Sequence, residues 1–276
     1  MPETLVNKRT HSFGGGKLHS LKCLQILKKV FERINPFKTY TYDFIFGIGE
    51  TCPCSETLRS CGLQFESYPL DWLYGGDFDT RVKLLLDDFT NFINKEDLEK
   101  IGERESPLPC DIYKNNYNKI VFNHDFPLHR DLRETYQVVS EKYTRRIERL
   151  YKNIERSNKI LIVYIESPTT KHKVRHIKRF LKKYYPLLTD KFKNKLIDVV
   201  YVTNRQWMFP AILKTKFLKN CVLIRTNYQK QPDCKNGIKP EPYEVDLNIL
   251  KQLFKNISLN RKIIKHHNML EKWLQK

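Results

Sequence analysis

Apolar residues follow two patterns along the chain, namely short continuous runs and longer stretches with helical spacing. The runs predict buried strands at 43–48, 119–122, 159–165, 196–202 and 221–225. The stretches predict helices at 17–34, 53–62, 80–93, 95–102, 131–156, 171–185, 246–256 and 260–275. Apolar strands that alternate with helices are typical of a parallel sheet covered on both faces. The pattern therefore predicts an α/β fold with a mainly parallel sheet flanked by helices, in a Rossmann-like three-layer arrangement.

The first 38 residues differ from the rest of the chain. Residues 1–16 end in three glycines and predict a flexible leader. Residues 17–34 carry an apolar stripe on one face and lysines on the other, which is typical of a basic amphipathic helix. Such a helix lies on an anionic membrane surface in some proteins, and more often packs on its own domain. We expect this leader and helix over residues 1–38 and a single α/β domain over residues 39–276.

Charge and hydropathy limit the partners and the compartment. The net charge is +19, which attracts nucleic acid, anionic lipid or acidic glycans, although lysines also serve simply to solvate a surface. Weak polyanion or membrane-surface contact through the basic helices is therefore one open alternative. No run of about 18 apolar residues predicts a transmembrane segment. The N-terminus lacks the apolar core of a signal peptide, so we expect a cytoplasmic protein.

The seven cysteines favour neither a disulfide framework nor a zinc site. Their number is odd and they are widely scattered, whereas disulfide frameworks belong to short secreted chains. Cys52 and Cys54 form only a C-x-C pair, without a second pair at the spacing of zinc ligands. We therefore expect reduced thiols, no metal and no cofactor.

Polar residues come directly after several predicted strands. Ligands of a doubly wound sheet bind beyond the carboxyl ends of its strands, so these residues are expected to share one rim. Trp72, in the loop 67–72, is a further candidate because an indole stacks on sugars and apolar side chains. The candidate substrate-binding residues are Gly49, Glu50, Trp72, Asn123, Glu166, Asn204 and Arg205.

Cys52 is the candidate nucleophile. It follows a glycine turn at the start of a predicted helix, and a helix N-terminus favours the thiolate and supplies N–H groups for an oxyanion. His124 is the candidate base, and Asp125 or Asp71 could orient its imidazole. The alternative is structural, because buried cysteines are common and a histidine after a strand often bonds to a backbone carbonyl.

Four segments together resemble a family of putative papain-like cysteine peptidases. They are Phe46-Gly47-Ile48-Gly49-Glu50-Thr51-Cys52, Leu58-Arg59-Ser60-Cys61-Gly62-Leu63, Ser67-Tyr68-Pro69-Leu70-Asp71-Trp72 and Phe122-Asn123-His124-Asp125-Phe126. Ile48 and Leu70 stand where the family tends to have Leu and Phe. The resemblance covers roughly residues 42–226 and implies Cys52 as nucleophile and His124 as base. Papain-like enzymes pair a helix with a mostly antiparallel sheet, so the resemblance and the alternating pattern predict different sheets.

Three functions remain open from the sequence. The first is a thiol hydrolase acting on a peptide or another acyl substrate through Cys52 and His124. The second is a glycan or nucleotide-sugar transferase, in which the rim glycines and Arg205 hold a diphosphate and Trp72 stacks on a sugar. The third is a non-catalytic module that binds polyanions through its basic surface.

Overall fold

The computed structural model describes residues 40–106, 108–167, 174–206, 213–218, 220–228, 251 and 254–260. The helices in this part of the chain are α1 (Pro53–Ser60), α2 (Phe78–Leu86), α3 (Leu132–Arg156) and α4 (Val174–Lys191), with a 3-10 turn at Lys95–Asp97. The strands are β1 (Tyr40–Tyr42), β2 (Phe44–Gly47), β3 (Tyr74–Gly75), β4 (Leu98–Arg104), β5 (Cys110–Asn115), β6 (Ile120–Pro127), β7 (Lys159–Ile165), β8 (Leu196–Gln206), β9 (Leu213–Leu218), β10 (Cys221–Tyr228) and β11 (Ile257–Leu259). The leader and helix predicted for residues 1–38, and most of the helices predicted at 246–256 and 260–275, lie outside the described residues.

A five-stranded sheet has the order β2-β7-β8-β10-β9. The first four strands are parallel, and β9 runs antiparallel to β10 at the edge. Ile162 of β7 lies between Phe46 of β2 and Val199 of β8. Every residue of β7 from Ile160 onward is buried, as expected for a strand covered on both faces. The four parallel strands predicted at 43–48, 159–165, 196–202 and 221–225 are confirmed.

A second, antiparallel sheet is inserted between β2 and β7. Its order is β3-β6-β5-β4, and it is formed by residues 74–127. A mixed α/β fold is confirmed, but the sheets are not all parallel. The Rossmann-like three-layer arrangement therefore stays a prediction. A short parallel pair, β1 with β11, forms a third sheet.

One continuous core joins the two large sheets. Phe122 of β6 contacts Phe92 and Tyr143, with ring centroids 5.9 and 5.3 Å apart. Phe78 of α2 packs in the same core against Tyr164 of β7, at 5.0 Å. Burying such large apolar side chains is the main favourable contribution to folding. The core therefore fixes the antiparallel sheet against the parallel one.

Three elements in this region differ from their sequence predictions. The helix predicted at 95–102 is a 3-10 turn followed by β4, because cross-strand pairing with β5 outweighs the helix propensity of Lys, Glu and Leu. The strand predicted at 119–122 extends to Pro127 and belongs to the antiparallel sheet. Asn123, His124 and Asp125 therefore lie within a strand rather than beyond a parallel one. The helix predicted at 80–93 ends at Leu86.

None of the described helices combines the length and the apolar character needed to cross a membrane.

Candidate active site

Cys52 lies in the turn that joins β2 to α1, and two glycines make this turn possible. A Cβ on Gly49 would come within 2.4 Å of Cβ of Cys54, and a Cβ on Gly47 within 2.9 Å of Sγ of Cys54. Glycine therefore lets the first turn of α1 pack directly on the end of β2. Cys54 also donates a hydrogen bond to the carbonyl of Val163, at 3.5 Å. This packing places Cys52 at the N-cap of α1, where it is 7% exposed.

His124 lies on β6 at an irregularity of the strand pairing. Asp111 of β5 pairs with Phe126, and Tyr113 pairs with Phe122. Three residues of β6, centred on His124, therefore face one residue of β5. Such a bulge bends a strand and re-aims the side chains that it carries. At this bulge the His124 imidazole approaches the start of α1.

The two side chains meet across 72 residues of sequence. Sγ of Cys52 lies 3.7 Å from Nε2 of His124. The other ring nitrogen, Nδ1, lies 2.9 Å from an Nη of Arg104 on β4. A guanidinium has only donors, so Nδ1 accepts this hydrogen bond and a neutral His124 carries its proton on Nε2. In this tautomer the imidazole donates toward the sulfur of Cys52.

Both members of the pair are held in their neutral forms near pH 7. Burial raises the pKa of the Cys52 thiol, and the Tyr74 hydroxyl and the Arg104 charge offset this only in part. Burial and the Arg104 charge lower the pKa of His124, and Asp125 opposes them. We expected the helix N-terminus to favour the thiolate, but burial outweighs the backbone hydrogen bond at Cys52 and the net shift of the thiol pKa is upward. Pro53, at the first helical position, also has no N–H to offer.

Cys110 is a second thiol near the pair. Its Sγ donates to the carbonyl of Asn123, at 3.0 Å, directly before His124 in the chain. Burial raises its pKa, and the charge of Arg104 and a hydrogen bond with that guanidinium lower it. Arg104 also donates from Nε to the carbonyl of Leu108, at 3.0 Å. One guanidinium thus lies between His124 and a second cysteine.

Asp125 faces α3 rather than the imidazole. Its Oδ1 accepts from Lys142, and its Oδ2 accepts from the Tyr143 hydroxyl at 2.9 Å. These bonds fix β6 against α3. The carboxylate influences His124 through its charge only.

Asp71 is buried at the side of α1. It accepts hydrogen bonds from the hydroxyl of Ser55 at 2.5 Å, the amide of Gln64 at 2.5 Å and the backbone N–H of Tyr68 at 2.8 Å. Burial raises its pKa, and these bonds oppose the rise. The two carboxylate oxygens of Asp71 thus accept three hydrogen bonds, and these bonds anchor the loop 64–72 on α1.

The described contacts of Glu50 and Glu166, two of the predicted rim residues, are with groups other than Cys52. Glu50 is buried and accepts from the Tyr164 hydroxyl and, at 2.8 Å, from the N–H of Ser167. Glu166, directly after β7, is buried, and its charge acts on Tyr201 of β8. Asn204 and Arg205 lie within β8 rather than after it, and their side chains are outside the described residues. The carbonyl of Asn123 accepts a hydrogen bond from Sγ of Cys110.

Trp72 lies near the far end of α1. The guanidinium of Arg59, in the last turn of the helix, is 5.6 Å from the centroid of its ring. This cation–π contact covers one indole face. Trp72 also adopts a positive φ of 65°, which allows the loop to turn back toward β3. The described contacts therefore place it with Arg59 rather than with Cys52.

Arg81 of α2 binds the backbone of two segments next to the site, at residue 49 and at residues 73–76. The sequence did not indicate this role. It is fully buried and donates to the carbonyls of Gly75 and Gly76, at 2.8 and 2.9 Å, and to that of Leu73 at 3.0 Å. It also bonds to the carbonyl of Gly49, directly after β2. A single guanidinium thus fixes the turn before Cys52 and the segment that carries Tyr74.

One group of side chains in the described part of the chain has the spacing of metal ligands. It consists of Glu103, Asp111 and His129. Lys100 lies among them, with its Nζ 2.7 Å from Glu103 and 2.9 Å from Asp111. The ammonium group of Lys100 supplies the positive charge that these carboxylates face. The described contacts therefore favour an ion-pair cluster over a metal site.

Arg104, Tyr74 and Cys110 were also missed as site residues. Arg104 is one of 50 basic residues and lies on a strand that resembles a helix in sequence. Its contact with His124 crosses two strand pairings, β4 with β5 and β5 with β6. No local signal in the sequence marks such a contact.

The comparisons with known proteins bear on this site. The sequence profile of one family, described as a putative papain-like cysteine peptidase, matches residues 43–206, more than half of the chain. This range contains Cys52, His124 and Arg104. Comparison with curated proteins and with solved structures gave no match. The chain belongs to the family of putative papain-like cysteine peptidases.

Proposed function

We propose that this protein is a thiol-dependent hydrolase or acyl-transfer enzyme in which Cys52 is the nucleophile and His124 carries the proton. The observation that carries the proposal is the 3.7 Å separation of Sγ of Cys52 and Nε2 of His124. Two elements that are remote in sequence bring together a thiol and an imidazole, the pair that thiol catalysis needs. Membership of the peptidase family supports the same reaction class.

In the first step Cys52 attacks the carbonyl carbon of a peptide or another acyl substrate. The proton of the thiol passes to Nε2, the S–C bond forms, and the carbonyl π electrons move to the oxygen. The oxyanion then collapses, the bond to the leaving group breaks, and the leaving group takes the proton from Nε2. A thioester on Cys52 remains.

In the second step water hydrolyses the thioester. His124 accepts a proton from water at Nε2, the resulting hydroxide adds to the thioester carbonyl, and the S–C bond breaks. The proton returns to Sγ, which restores the free enzyme. If an amine or an alcohol replaces water, the same steps give acyl transfer.

The chemistry requires one change from the resting arrangement. To accept a proton at Nε2, the neutral imidazole must carry its own proton on Nδ1. The hydrogen bond from Arg104 to Nδ1 must therefore break before the first proton transfer.

The transferase alternative gains no support from the described glycine turn. The space around Gly49 is filled by Cys54 and by the backbone of Ile165. A Cβ added to Gly49 would lie 3.1 Å from the backbone N of Ile165. A diphosphate needs room beside such a glycine.

The direct test is the capture of the acyl-enzyme. The hydrogen bond from Arg104 also opens transiently in the free protein, and nitrophenolate leaves without being protonated. We therefore expect 4-nitrophenyl acetate to release a burst of nitrophenol and to leave an acetyl group on Cys52, identified by mass spectrometry of the peptides. Cys52→Ser and His124→Gln should lose the burst, because the first lacks the thiol and the second lacks the base. A burst of wild-type size in either variant would overturn the proposal.

A further inference from the structure

Arg104 is a cation without a carboxylate partner among the described residues, although it lies beside the candidate nucleophile. The neighbouring cations are paired: Lys142 with Asp125, and Lys100 with Glu103 and Asp111. Arg104 instead bonds to the carbonyl of Leu108, to Nδ1 of His124 and to Cys110. A guanidinium whose partners are all neutral keeps most of its capacity for an anion.

The position of Arg104 is suited to a substrate group. Its side chain is only partly buried, and it ends β4, which is the edge strand of the antiparallel sheet. The bond from Nε to Leu108 tethers the guanidinium, while the end that carries the Nη atoms reaches His124. Arg104 and Cys52 thus lie at the two ring nitrogens of one imidazole, and the charge of Arg104 acts on the thiol.

We propose that Arg104 binds a carboxylate of the substrate, and that this binding releases Nδ1 of His124. The inference rests on the proposed function and names its substrate class, an acyl compound or peptide with a carboxylate near the scissile carbonyl. A carboxylate accepts two parallel hydrogen bonds from a guanidinium, whereas Nδ1 accepts one. The carboxylate is the better partner, so the imidazole loses its donor. It can then take up a proton from water at Nδ1 and give the proton on Nε2 back to water, which leaves a lone pair facing Cys52.

This exchange couples substrate recognition to base strength. With Arg104 on Nδ1, a proton added to His124 would face a cation at hydrogen-bond distance, which disfavours it. With the guanidinium neutralised by a carboxylate, that repulsion falls and Nε2 becomes a competent acceptor. Arg104 is thus a binding residue for the substrate anion and a positioning residue for His124.

A carboxylate fits the surrounding charges better than a phosphate group does. Glu56 raises the pKa of Cys52 through its charge, and Asp125 acts on His124 in the same sense. Asp125 is itself paired with Lys142, so Arg104 is the cation left to balance a bound anion. One guanidinium balances one carboxylate, whereas a phosphate group with up to two negative charges would keep charge left over.

The test compares two alkylating reagents of similar shape. Iodoacetate is anionic and iodoacetamide is neutral, so the ratio of their rates at Cys52 reports an anion-binding group beside Sγ. Cys61, at the opposite end of α1, is the internal reference in each sample. We expect Arg104→Gln to lower the normalised ratio at Cys52 about fivefold, the effect of one nearby charge in a hydrated site. Arg104→Lys should keep part of the ratio.

Arg156→Gln is the matched control, because it makes the same charge change on an exposed residue at the end of α3. It should leave the ratio unchanged. In the wild type, acetate should compete with iodoacetate for Arg104 and lower the normalised ratio at Cys52 more than inorganic phosphate does at equal concentration.

The outcomes separate the two proposals. An unchanged ratio in Arg104→Gln and Arg104→Lys, or a larger fall of the wild-type ratio with phosphate than with acetate, would overturn the role of Arg104. The thiol hydrolase would then still stand if the acetyl burst depends on Cys52 and His124. Loss of that dependence would instead overturn the proposed function. If Arg104→Gln does not fold, Arg104→Lys and the acetate experiment decide.

Discussion

Nδ1 of His124 accepts a hydrogen bond from Arg104 at 2.9 Å, while Nε2 of the same ring faces Cys52 at 3.7 Å. A thiol–imidazole pair that is ready for proton transfer would have the opposite pattern, with a proton on Nδ1 and a lone pair on Nε2. The free protein therefore holds its candidate base in the unreactive tautomer. This relationship explains why Arg104 must move before His124 can accept a proton at Nε2.

The tautomer can be measured directly. We expect nitrogen-15 NMR of the histidine rings to show His124 with an unprotonated Nδ1 and a protonated Nε2 in the free wild-type protein. In Arg104→Gln the distribution should shift toward protonation at Nδ1, because the obligate donor is gone. His124→Gln assigns the signals. A protonated Nδ1 in the free wild type would contradict the hydrogen-bond pattern.

Replacement of Asp71 should reduce stability rather than chemistry. Asp71→Ala leaves three buried donors, from Ser55, Gln64 and Tyr68, without their acceptor. We expect the free energy of unfolding to fall by about 3 kcal/mol, measured by urea denaturation. Asp190→Ala, at an exposed position, should change it little.

The same variant separates anchoring from catalysis. Well below its unfolding temperature, Asp71→Ala should keep the acetyl burst, because the carboxylate does not contact His124 in the described structure. A lost burst at unchanged stability would instead make Asp71 part of the catalytic group.

Gly49 should tolerate no side chain. Gly49→Ala places a methyl group 2.4 Å from Cβ of Cys54, so α1 or β2 must move. We expect a loss of about 2 kcal/mol in the free energy of unfolding. Reactivity at Cys52 should change as well, because the turn carries this residue.

Gly102→Ala is the control for this prediction. The nearest atom to its new methyl group would be Cδ1 of Ile112, at 3.9 Å, which is ordinary contact. Equal losses of stability in the two variants would show that close packing at Gly49 is not the cause.

The sequence predicted those parts of the fold that local patterns define. β7 is buried along nearly its whole length, so it appears as an uninterrupted apolar run. β4 is an exposed edge strand with Lys, Glu and Arg, and it resembles a solvated helix until its pairing with β5 is known. The residues of β6 around His124 form a bulge, which no alternation of apolar residues marks.

The candidate pair was predicted, but its surroundings were not. Cys52 and His124 stand out in the sequence as a cysteine before a predicted helix and a histidine directly after a predicted strand. Their environment depends on Arg104, which reaches His124 from a strand that was assigned to a helix. The alternating pattern and the family resemblance predicted different sheets, and the described structure contains both kinds. Cys52 follows a strand of the parallel sheet, and His124 belongs to the antiparallel one.

The central claim is that Cys52 and His124 form one interacting pair. The most direct test is the pH dependence of iodoacetamide alkylation at Cys52, followed by mass spectrometry in the wild type and in His124→Ala, with N-acetylcysteine in the same tube. Because burial raises the thiol pKa, the wild-type rate should rise at higher pH than the reference thiol. His124→Ala removes the Nε2–H donor. At every pH below the rise in the wild-type profile, this variant should therefore be alkylated at Cys52 about tenfold more slowly, which is the effect of losing one hydrogen bond to a charged sulfur. Superimposable profiles in the two proteins would show that the imidazole does not act on the thiol and would contradict the account.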